Sequence, residues 1–366
     1  VLSGLEALPK GLLIWRGILQ WLGGIGIIVV AMVFLPELRV GGMQIFRSEA
    51  FDTDGKVLPR AAQIANRISS IYVVLTLLCY LCYIIVGMPA FDALNHALTT
   101  MSTGGFSTHD ASFGVFQGPA EYVAAVFMIL ASLPFVRYVQ LINGNVTALH
   151  RDKQVQGFLI TVVVLIGVTT LTLQQTLPRA WEPAFREALF NITSIISGTG
   201  YASADYMQWG SFAVALFFFI GLIGGCAGST TCSIKVFRYQ LLFASIRAQL
   251  RRIRSPHGIF TPRYDGRPVG ADVLSSVMSF FMFFVVSLGL ISVALSLTGL
   301  DFVTSVSGAA AALANIGPGL GPVIGPAGNF SSLNDTAKWI LIIAMLIGRL
   351  ELMAVYVMFT SKFWRA

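Results

Sequence analysis

Three stretches of this chain follow the same unusual plan: a short helix-like run, a glycine turn and then a long apolar segment. The central glycines of the three turns are Gly105, Gly200 and Gly317. At about 1.5 Å of rise per residue, each short run falls well below the roughly 30 Å of a bilayer's hydrocarbon core. Inside a membrane such a run must enter and turn back, so its turn must be buried in protein or line a watery cavity.

The composition places these repeats in a membrane. Of 366 residues, 55% are hydrophobic and only 11% are charged, which is far more apolar than a soluble domain. The opening residues lack the pattern of a cleaved signal peptide, so we interpret the first apolar run as a span. Four cysteines do not suggest a disulfide scaffold, and Cys79 and Cys82 are interpreted as small buried side chains rather than a metal or redox pair.

Hydropathy and charge together predict the topology. Apolar runs of spanning length lie at 11–35, 68–88, 121–142, 157–177, 272–298 and 337–360. A seventh run, 208–246, is interrupted by the polar, glycine-rich stretch Gly224–Ser233, which predicts a helix broken inside the membrane. The basic residues concentrate between alternate spans, so the positive-inside rule puts all three glycine turns on the outer side. For the same reason we interpret the net charge of +7 as a topology signal and expect no nucleic acid partner.

Setting the turns in register predicts tandem units of helix, re-entrant helix and helix, and hence an all-α integral membrane protein. The predicted units are a partial first repeat at 1–67, a second at 68–155, a third at 156–270 and a fourth at 271–366. The lone span at 11–35 has the character of a closing helix. A closed pore would need a further re-entrant turn, which we expect upstream of Val1.

The turns suggest cation chemistry. A dehydrated potassium ion needs a ring of oxygen ligands, which backbone carbonyls supply when they face one axis. Glycine tolerates positive φ and close backbone approach, and the helix C-termini before the turns carry partial negative charge. The predicted filter consists of Ser102, Thr103, Gly104, Gly105, Gly198, Thr199, Gly200, Asn315, Ile316 and Gly317. Potassium is predicted to lie at Thr103, Gly104, Gly198, Thr199, Asn315 and Ile316. Side-chain oxygens at the mouth are expected from Ser102, Thr103, Ser197, Thr199 and Asn315.

Acidic residues and histidines near the turns have plainer interpretations. Asp92, Glu187 and Asp301 lie near the starts of the short helices, where capping is favoured over direct attraction of ions. His96 is expected to serve the core or a cap rather than a metal. The histidines are scattered, with no HExxH or paired-acid motif, so we expect neither an enzyme nor an organic cofactor.

The turns also resemble a known family. Thr103–Ser107 (TGGFS), Gly198–Ala202 (GTGYA) and Asn315–Gly319 (NIGPG) are similar to the second, third and fourth selectivity-filter segments of the Trk, Ktr and HKT superfamily of potassium transporters, most of all to its bacterial TrkH type. Gly224–Arg238 resembles the intramembrane loop under that family's filter, and the likeness extends over essentially the whole chain.

This resemblance implies potassium uptake through a potassium-channel-like pore with pseudo-fourfold symmetry in the bacterial inner membrane. It further implies a homodimer gated by a cytosolic nucleotide-binding partner of the TrkA type. None of the three turns is a full T-V-G-Y-G, so we expect a single ion site rather than a long filter.

A gate is predicted from the loop and one arginine. Arg349 lies well inside the last predicted span, where an arginine costs about 2.5 to 3.5 kcal/mol. The family places its matching arginine against the intramembrane loop, and we expect Arg349 to contact carbonyls there rather than to snorkel to the surface. The predicted gate residues are Gly224, Gly225, Gly228, Ser229, Thr230, Thr231 and Arg349.

Two questions stay open at this level. A secondary active transporter with discontinuous helices, coupling cation uptake to another ion, is the alternative function. Such proteins usually show inverted repeats, whereas these run in one direction. The basic segment Lys235–Arg267 serves either as a topology signal in contact with membrane lipids or as a docking surface for a cytosolic regulator.

Overall fold

The computed structural model describes residues 3–33, 57–176, 180–349 and 352–358. Within these ranges, four helices are long and apolar enough to cross a membrane: Lys10–Ile28, Ala65–Ile85, Lys153–Thr176 and Ala271–Ser296. A fifth span results if the bent pair Pro119–Ala131 and Phe135–Ile142 is counted as one. The architecture is therefore the predicted all-α one. Parts of the predicted spans 11–35, 157–177 and 337–360 lie outside the described ranges.

The helices follow the predicted order of units. A single helix comes first: α1 (Lys10–Val33). The next unit has α2 (Val57–Ile85), α3 (Ala90–Met101), α4 (Pro119–Ala131), α5 (Phe135–Ile142) and α6 (Ala148–Arg151). The following unit has α7 (Lys153–Thr176), α8 (Trp181–Ile196), α9 (Ser211–Gly221) and α10 (Val236–Arg254). The last has α11 (Ala271–Ser296), α12 (Phe302–Ala314), α13 (Gly321–Ile324), α14 (Asp335–Arg349) and α15 (Leu352–Met358). Single 3-10 turns lie at Leu5–Ala7, Ser112–Phe116 and Tyr206–Trp209.

The three short helices α3, α8 and α12 occupy equivalent places. Each packs between the two longer helices of its own unit and also against the second helix of the preceding unit: α1 for α3, α4 for α8 and α9 for α12. Repeating one contact pattern in one sense arranges the short helices around a common axis. Helix α1 fills the place of a closing helix, although the residue boundaries of the units stay a prediction.

The second helix differs between units. Between α4 and α5 the chain bends by 88°, so the predicted span 121–142 is two helices rather than one. Pro134 explains the bend, because proline lacks an amide hydrogen and disfavours a helical residue before it. Between α9 and α10 the helix is fully interrupted, as the glycine-rich stretch predicted.

The basic segment after the interruption is more ordered than a loop. Helix α10 continues to Arg254, and a small antiparallel hairpin follows, in which β1 (Arg263–Tyr264) pairs with β2 (Arg267–Pro268). The basic segment Lys235–Arg267 therefore consists largely of a helix followed by a hairpin.

Candidate functional site

The three glycine turns share one backbone conformation. In each turn the first and third positions have positive φ: Thr103 (48°) and Gly105 (75°), Gly198 (72°) and Gly200 (80°), Asn315 (53°) and Gly317 (111°). Residues with a side chain adopt this region rarely, and asparagine is one of the more tolerant. The turns are therefore equivalent residue by residue, as their register in the sequence predicted.

Backbone hydrogen bonds tie each turn to its own short helix. The middle residue donates its amide to the carbonyl five positions earlier: Gly104 to Thr99 (2.9 Å), Thr199 to Ser194 (2.9 Å) and Ile316 to Ala311 (3.0 Å). Across a trans peptide the amide and the preceding carbonyl point in opposite directions. Amides that face the helix therefore direct the carbonyls of the first positions away from it, and these are Thr103, Gly198 and Asn315. The amides of Gly105 (3.4 Å) and Gly200 (3.2 Å) bond in the same way to Thr99 and Ser194.

Neighbouring turns approach each other closely. A Cβ at Gly105 would lie 1.8 Å from the carbonyl oxygen of Thr199, and a Cβ at Gly200 would lie 1.9 Å from that of Ile316. Only glycine fits at either place. In both pairs of neighbouring turns, the carbonyl oxygen of the middle residue therefore lies against the central glycine of the preceding turn. Among the described residues, no atom lies within 4 Å of the Cβ position of Gly317.

The side-chain oxygens expected at the mouth are engaged locally. Ser102 Oγ donates to Leu98 O at 3.0 Å, and Thr103 Oγ1 donates to Ser102 O at 2.8 Å. The Ser197 and Thr199 hydroxyls bond to each other at 2.7 Å. These groups brace the turns, which leaves the backbone carbonyls as the principal candidate ligands.

Asn315 also reaches away from the turn. Its Nδ2 donates to the carbonyl of Met345 on α14 at 3.1 Å. Gly348, on the same helix, would place a Cβ 1.9 Å from the carbonyl oxygen of Leu313. The last turn is therefore fastened directly to the helix that carries Arg349.

Two residues near the turns were missed by sequence reasoning. The buried Tyr201 bonds through its hydroxyl to Thr99 Oγ1 at 2.5 Å, and its carbonyl accepts a hydrogen bond from Ser194 Oγ at 2.7 Å. It joins the turn Gly198–Gly200 to α3 and α8. An aromatic residue directly after Gly198–Gly200 was the signal that could have indicated this role.

Gln20 on α1 is the second missed residue. Its Nε2 donates to the carbonyl of Gly104 at 2.6 Å, while its Oε1 accepts from the amide of Phe106 at 3.0 Å. A glutamine inside the first apolar run was the available signal, and its partners lie more than eighty residues away.

The interrupting loop Gly224–Ser233 lies beside the turn Gly198–Gly200. The amide nitrogen of Cys232 is 3.7 Å from the Cβ position of Gly198. The loop closes on itself, since Gly224 donates its amide to Ile234 O at 2.8 Å and a Cβ at Gly224 would collide with the carbonyl of Cys232 at 2.1 Å. Gly228 takes positive φ of 72°. The glycines thus allow a tight, largely buried fold.

Hydroxyl groups hold the inside of this loop. Thr231 Oγ1 accepts from the amide of Gly225 at 3.2 Å and bonds to Ser229 Oγ at 2.8 Å. Ser229 Oγ also donates to Cys226 O at 2.6 Å, and Thr230 Oγ1 donates to Ala131 O at 3.1 Å. Every predicted gate residue of the loop is therefore brought into one small unit.

Two cationic side chains contact this loop. Arg349 at the end of α14 donates through its guanidinium to Cys232 Sγ, so its partner is a thiol rather than the expected carbonyl. Lys235 donates to Thr231 O and, at 2.8 Å, to Thr231 Oγ1. Sequence analysis did not single out Lys235, although its place directly after the loop was a signal.

The remaining candidates are structural. His96 is buried and bonds to Asp92 O at 2.8 Å and to Ser107 Oγ at 3.1 Å. In the described ranges, no group of three or more His, Cys, Asp or Glu residues is arranged to hold a metal. Asp301 caps α12 by accepting from the amide of Thr304 at 3.1 Å, and hydrogen bonds from Thr304 hold the pKa of Asp301 below its usual value.

Comparison with known proteins identifies a family and relatives that match this chain over its whole length. The model of the TrkH family, described as a cation transport protein, matches residues 1–366. The chain is 45% identical over 368 residues to the Trk system potassium uptake protein TrkI of Halomonas elongata, covering 100% of the chain and 74% of that relative. It is 37% identical over 369 residues to TrkH of Escherichia coli K12, covering 100% of the chain and 76% of the relative. The crystal structure of the potassium transporter TrkH from Vibrio parahaemolyticus matches with a TM-score of 0.90 at 34% identity, covering 100% of this chain and 75% of that one.

Proposed function

Because the chain belongs to the TrkH family of cation transport proteins, which are not enzymes, we propose that it takes up potassium through a gated, channel-like pore. The membrane is the inner membrane of a bacterium. Relatives carry the words potassium uptake in their names, and the turns described above supply the chemistry for this ion.

One observation carries the proposal: three equivalent turns direct backbone carbonyls away from their short helices, and the carbonyls of Thr199 and Ile316 lie against the preceding turns. Carbonyl oxygens arranged in this way replace the hydration shell of a potassium ion. The ion is held at the carbonyls of Thr103, Gly104, Gly198, Thr199, Asn315 and Ile316. The C-termini of α3, α8 and α12 add partial negative charge at the same place.

A fourth segment completes this ring in the proposal. The carbonyls of Thr199 and Ile316 abut the glycines of the preceding turns, whereas the carbonyl of Gly104 accepts a hydrogen bond from Gln20, and no described atom lies within 4 Å of the Cβ position of Gly317. A further turn would lie beside Gly317 and supply the carbonyl contact that Gly105 and Gly200 receive from their neighbours. The resulting pore has pseudo-fourfold symmetry.

The gate in this proposal is the loop Gly224–Ser233 together with Arg349. The loop lies beside the turn Gly198–Gly200, since a Cβ at Gly198 would be 3.7 Å from the amide nitrogen of Cys232, and in this proposal it blocks the path of an ion leaving the filter. The half-buried charge of Arg349 adds electrostatic repulsion, which is strong where water is scarce. The gate opens when Arg349 and the loop separate.

The proposed assembly is a homodimer whose gate responds to a cytosolic nucleotide-binding subunit of the TrkA type. The relatives are named as parts of a Trk system, which is consistent with more than one component. The basic helix α10 and the hairpin that follows it offer a positively charged surface for such a subunit or for membrane lipids.

Rubidium flux into proteoliposomes containing the full-length protein tests the function. We expect rubidium to enter down its gradient, with a preference over sodium and without a fixed stoichiometry to protons or sodium. Strict coupling to a second ion would favour the secondary transporter, and flux without preference for rubidium would contradict the carbonyl filter.

A further inference from the structure

The loop Gly224–Ser233 is bonded to the bend between α4 and α5, and not only to its own helices. Cys226 donates its amide to Ser132 O at 3.0 Å. Phe135 donates its amide to Gly228 O at the same distance. A bend leaves backbone groups without partners in the helix, and within a membrane each of them must be satisfied. The loop therefore completes the bend, and the bend holds the loop.

A third connection strengthens this attachment. Thr230 donates to Ala131 O twice, through its amide at 3.3 Å and through its hydroxyl at 3.1 Å. All these contacts involve residues 226–230 of the loop, which we call the anchored limb. The residues that follow it, Thr231 and Cys232, accept hydrogen bonds from Lys235 and Arg349. The loop thus has one limb bonded to a neighbouring unit and one limb held by cationic side chains.

Gln154 reaches the anchored limb from another direction. This side chain is 2% exposed, and its Oε1 accepts a hydrogen bond from the amide of Ala227 at 2.9 Å. Gln154 lies in the first turn of α7, and Ala227 follows it by 73 positions. A buried amide side chain at the start of one helix therefore determines where the middle of the anchored limb lies.

The position of Gln154 is itself fixed. Asp152 caps α7 by accepting from the amides of Gln154 at 2.7 Å and Val155 at 3.3 Å. The other oxygen of Asp152 accepts from Arg137 Nε on α5 at 2.6 Å, and the Asp152 carboxylate is almost fully buried. A buried ion pair of this kind is costly to break from one side. The contact therefore links α5, the start of α7 and the loop.

We propose that Gln154 is a positioning residue of the gate, which holds the anchored limb in the closed arrangement through the amide of Ala227. The inference rests on the proposed gate. Loss of the acceptor oxygen frees the limb and shifts the equilibrium toward conduction without any activating subunit. Ion selectivity stays unchanged, because Gln154 contacts the loop and not the turns.

The test compares variants of the full-length protein in proteoliposomes by rubidium influx, without a cytosolic partner. Gln154→Met removes the acceptor and keeps the length of the side chain, whereas Gln154→Glu keeps an acceptor. Gln156→Met is the matched control on the same helix, since Gln156 accepts from Lys153 Nζ at 3.0 Å and does not contact the loop. Arg349→Ala reports on the gate itself.

We expect Gln154→Met to raise rubidium influx by about threefold to tenfold, the shift that follows from losing one hydrogen bond in the closed state. Gln154→Glu and Gln156→Met should match the parent in rubidium influx. The ratio of rubidium to sodium influx should be the same in the parent and in the variants at positions 154 and 156. Parental influx in Gln154→Met beside raised influx in Arg349→Ala overturns this inference alone. Parental influx in both variants overturns the proposed gate and the inference with it.

Hydrogen exchange provides a measurement that needs no variant. In the parent protein, the amide of Ala227 should exchange slowly, and a peptide covering 222–235 should exchange faster in Gln154→Met than in Gln156→Met. Fast exchange at Ala227 in the parent overturns the inference even if Gln154→Met does not fold.

Discussion

The three glycine turns and the loop Gly224–Ser233 are both non-helical backbone enclosed by helices, yet they are held in different ways. Each turn bonds through its own amides to the short helix that precedes it. The loop bonds to the bend at Ser132, to the side chain of Gln154 and to the cationic groups of Arg349 and Lys235. The three turns share one backbone conformation. The loop, by contrast, occurs in only one unit of the described part of the chain.

This difference in bonding suits two different roles, ion recognition for the turns and movement for the loop. A segment bonded to its own helix keeps its carbonyls in fixed positions, which suits the recognition of an ion of one size. A loop held by single contacts from several elements can move by losing a few of them, and regions of this kind open at lower free energy than a core does. The proposed filter is thus a rigid repeat, whereas the proposed gate is a single element that lies beside it.

The largest effect is expected at the glycines of the turns. In Gly105→Ser and Gly200→Ser, the new Cβ meets a backbone carbonyl, and positive φ adds a cost of about 1–2 kcal/mol. We expect both variants to lose at least about tenfold in rubidium uptake and to fail to support growth of a potassium-uptake-deficient bacterium on low potassium.

Gly317→Ser separates the two effects. The new side chain would have positive φ, but its Cβ would not collide with any atom of the described residues. Its loss of uptake should be smaller than that of the other two. Gly289→Ser is the control, since a Cβ there meets nothing within 4 Å. Full uptake in Gly105→Ser and Gly200→Ser would contradict the assignment of the turns as filter.

The second effect concerns the gate. Arg349→Ala removes a charge and a hydrogen bond to Cys232, and a hydrogen bond of a charged group contributes about 1.5–3 kcal/mol. We therefore expect rubidium influx without an activating subunit to rise by about tenfold or more, with the preference over sodium unchanged. Arg349→Lys keeps the charge and should remain near the parent. A changed selectivity in Arg349→Ala would show that the filter and the gate are not separate.

A smaller effect is expected at Tyr201. Tyr201→Phe removes the hydroxyl that bonds to Thr99, at a cost of about 1 kcal/mol. The turn Gly198–Gly200 should become less rigid, so the ratio of rubidium to sodium permeability should fall by about twofold to fivefold. Tyr122→Phe is the control, because the Tyr122 hydroxyl bonds to Glu182 instead. An unchanged ratio in Tyr201→Phe would mean that the turn is held rigidly without this contact.

The smallest effect concerns the cap of α12. Because hydrogen bonds lower the pKa of Asp301, the ionised cap adds stability above the carboxyl's unfolded pKa of about 3.9, and this stability is lost as pH falls through the folded pKa. Asp301→Ala should lower the free energy of unfolding by about 1 kcal/mol at pH 7. Thermal unfolding should show the difference from the parent shrinking below about pH 4. A difference that persists in acid would indicate that the carboxylate charge does not contribute.

Much of the architecture was determined by the sequence. The short helices, the glycine turns and the break at Gly224–Ser233 all follow from local properties, namely the length of an apolar run and the φ range open to glycine. Even the equivalence of Thr103, Gly198 and Asn315 could be predicted from their register. The cap at Asp301 is local too, since its partner lies three residues away.

Only the tertiary structure decided which groups meet across the molecule. The carbonyl of Thr199 lies against Gly105, and Tyr201 bonds to Thr99, in each case from distant parts of the chain. Arg349 meets the thiol of Cys232 rather than a carbonyl. A sequence states which backbone groups a break or a bend leaves without partners, but partners about a hundred residues away are selected by the packing of helices, and no local pattern contains that information.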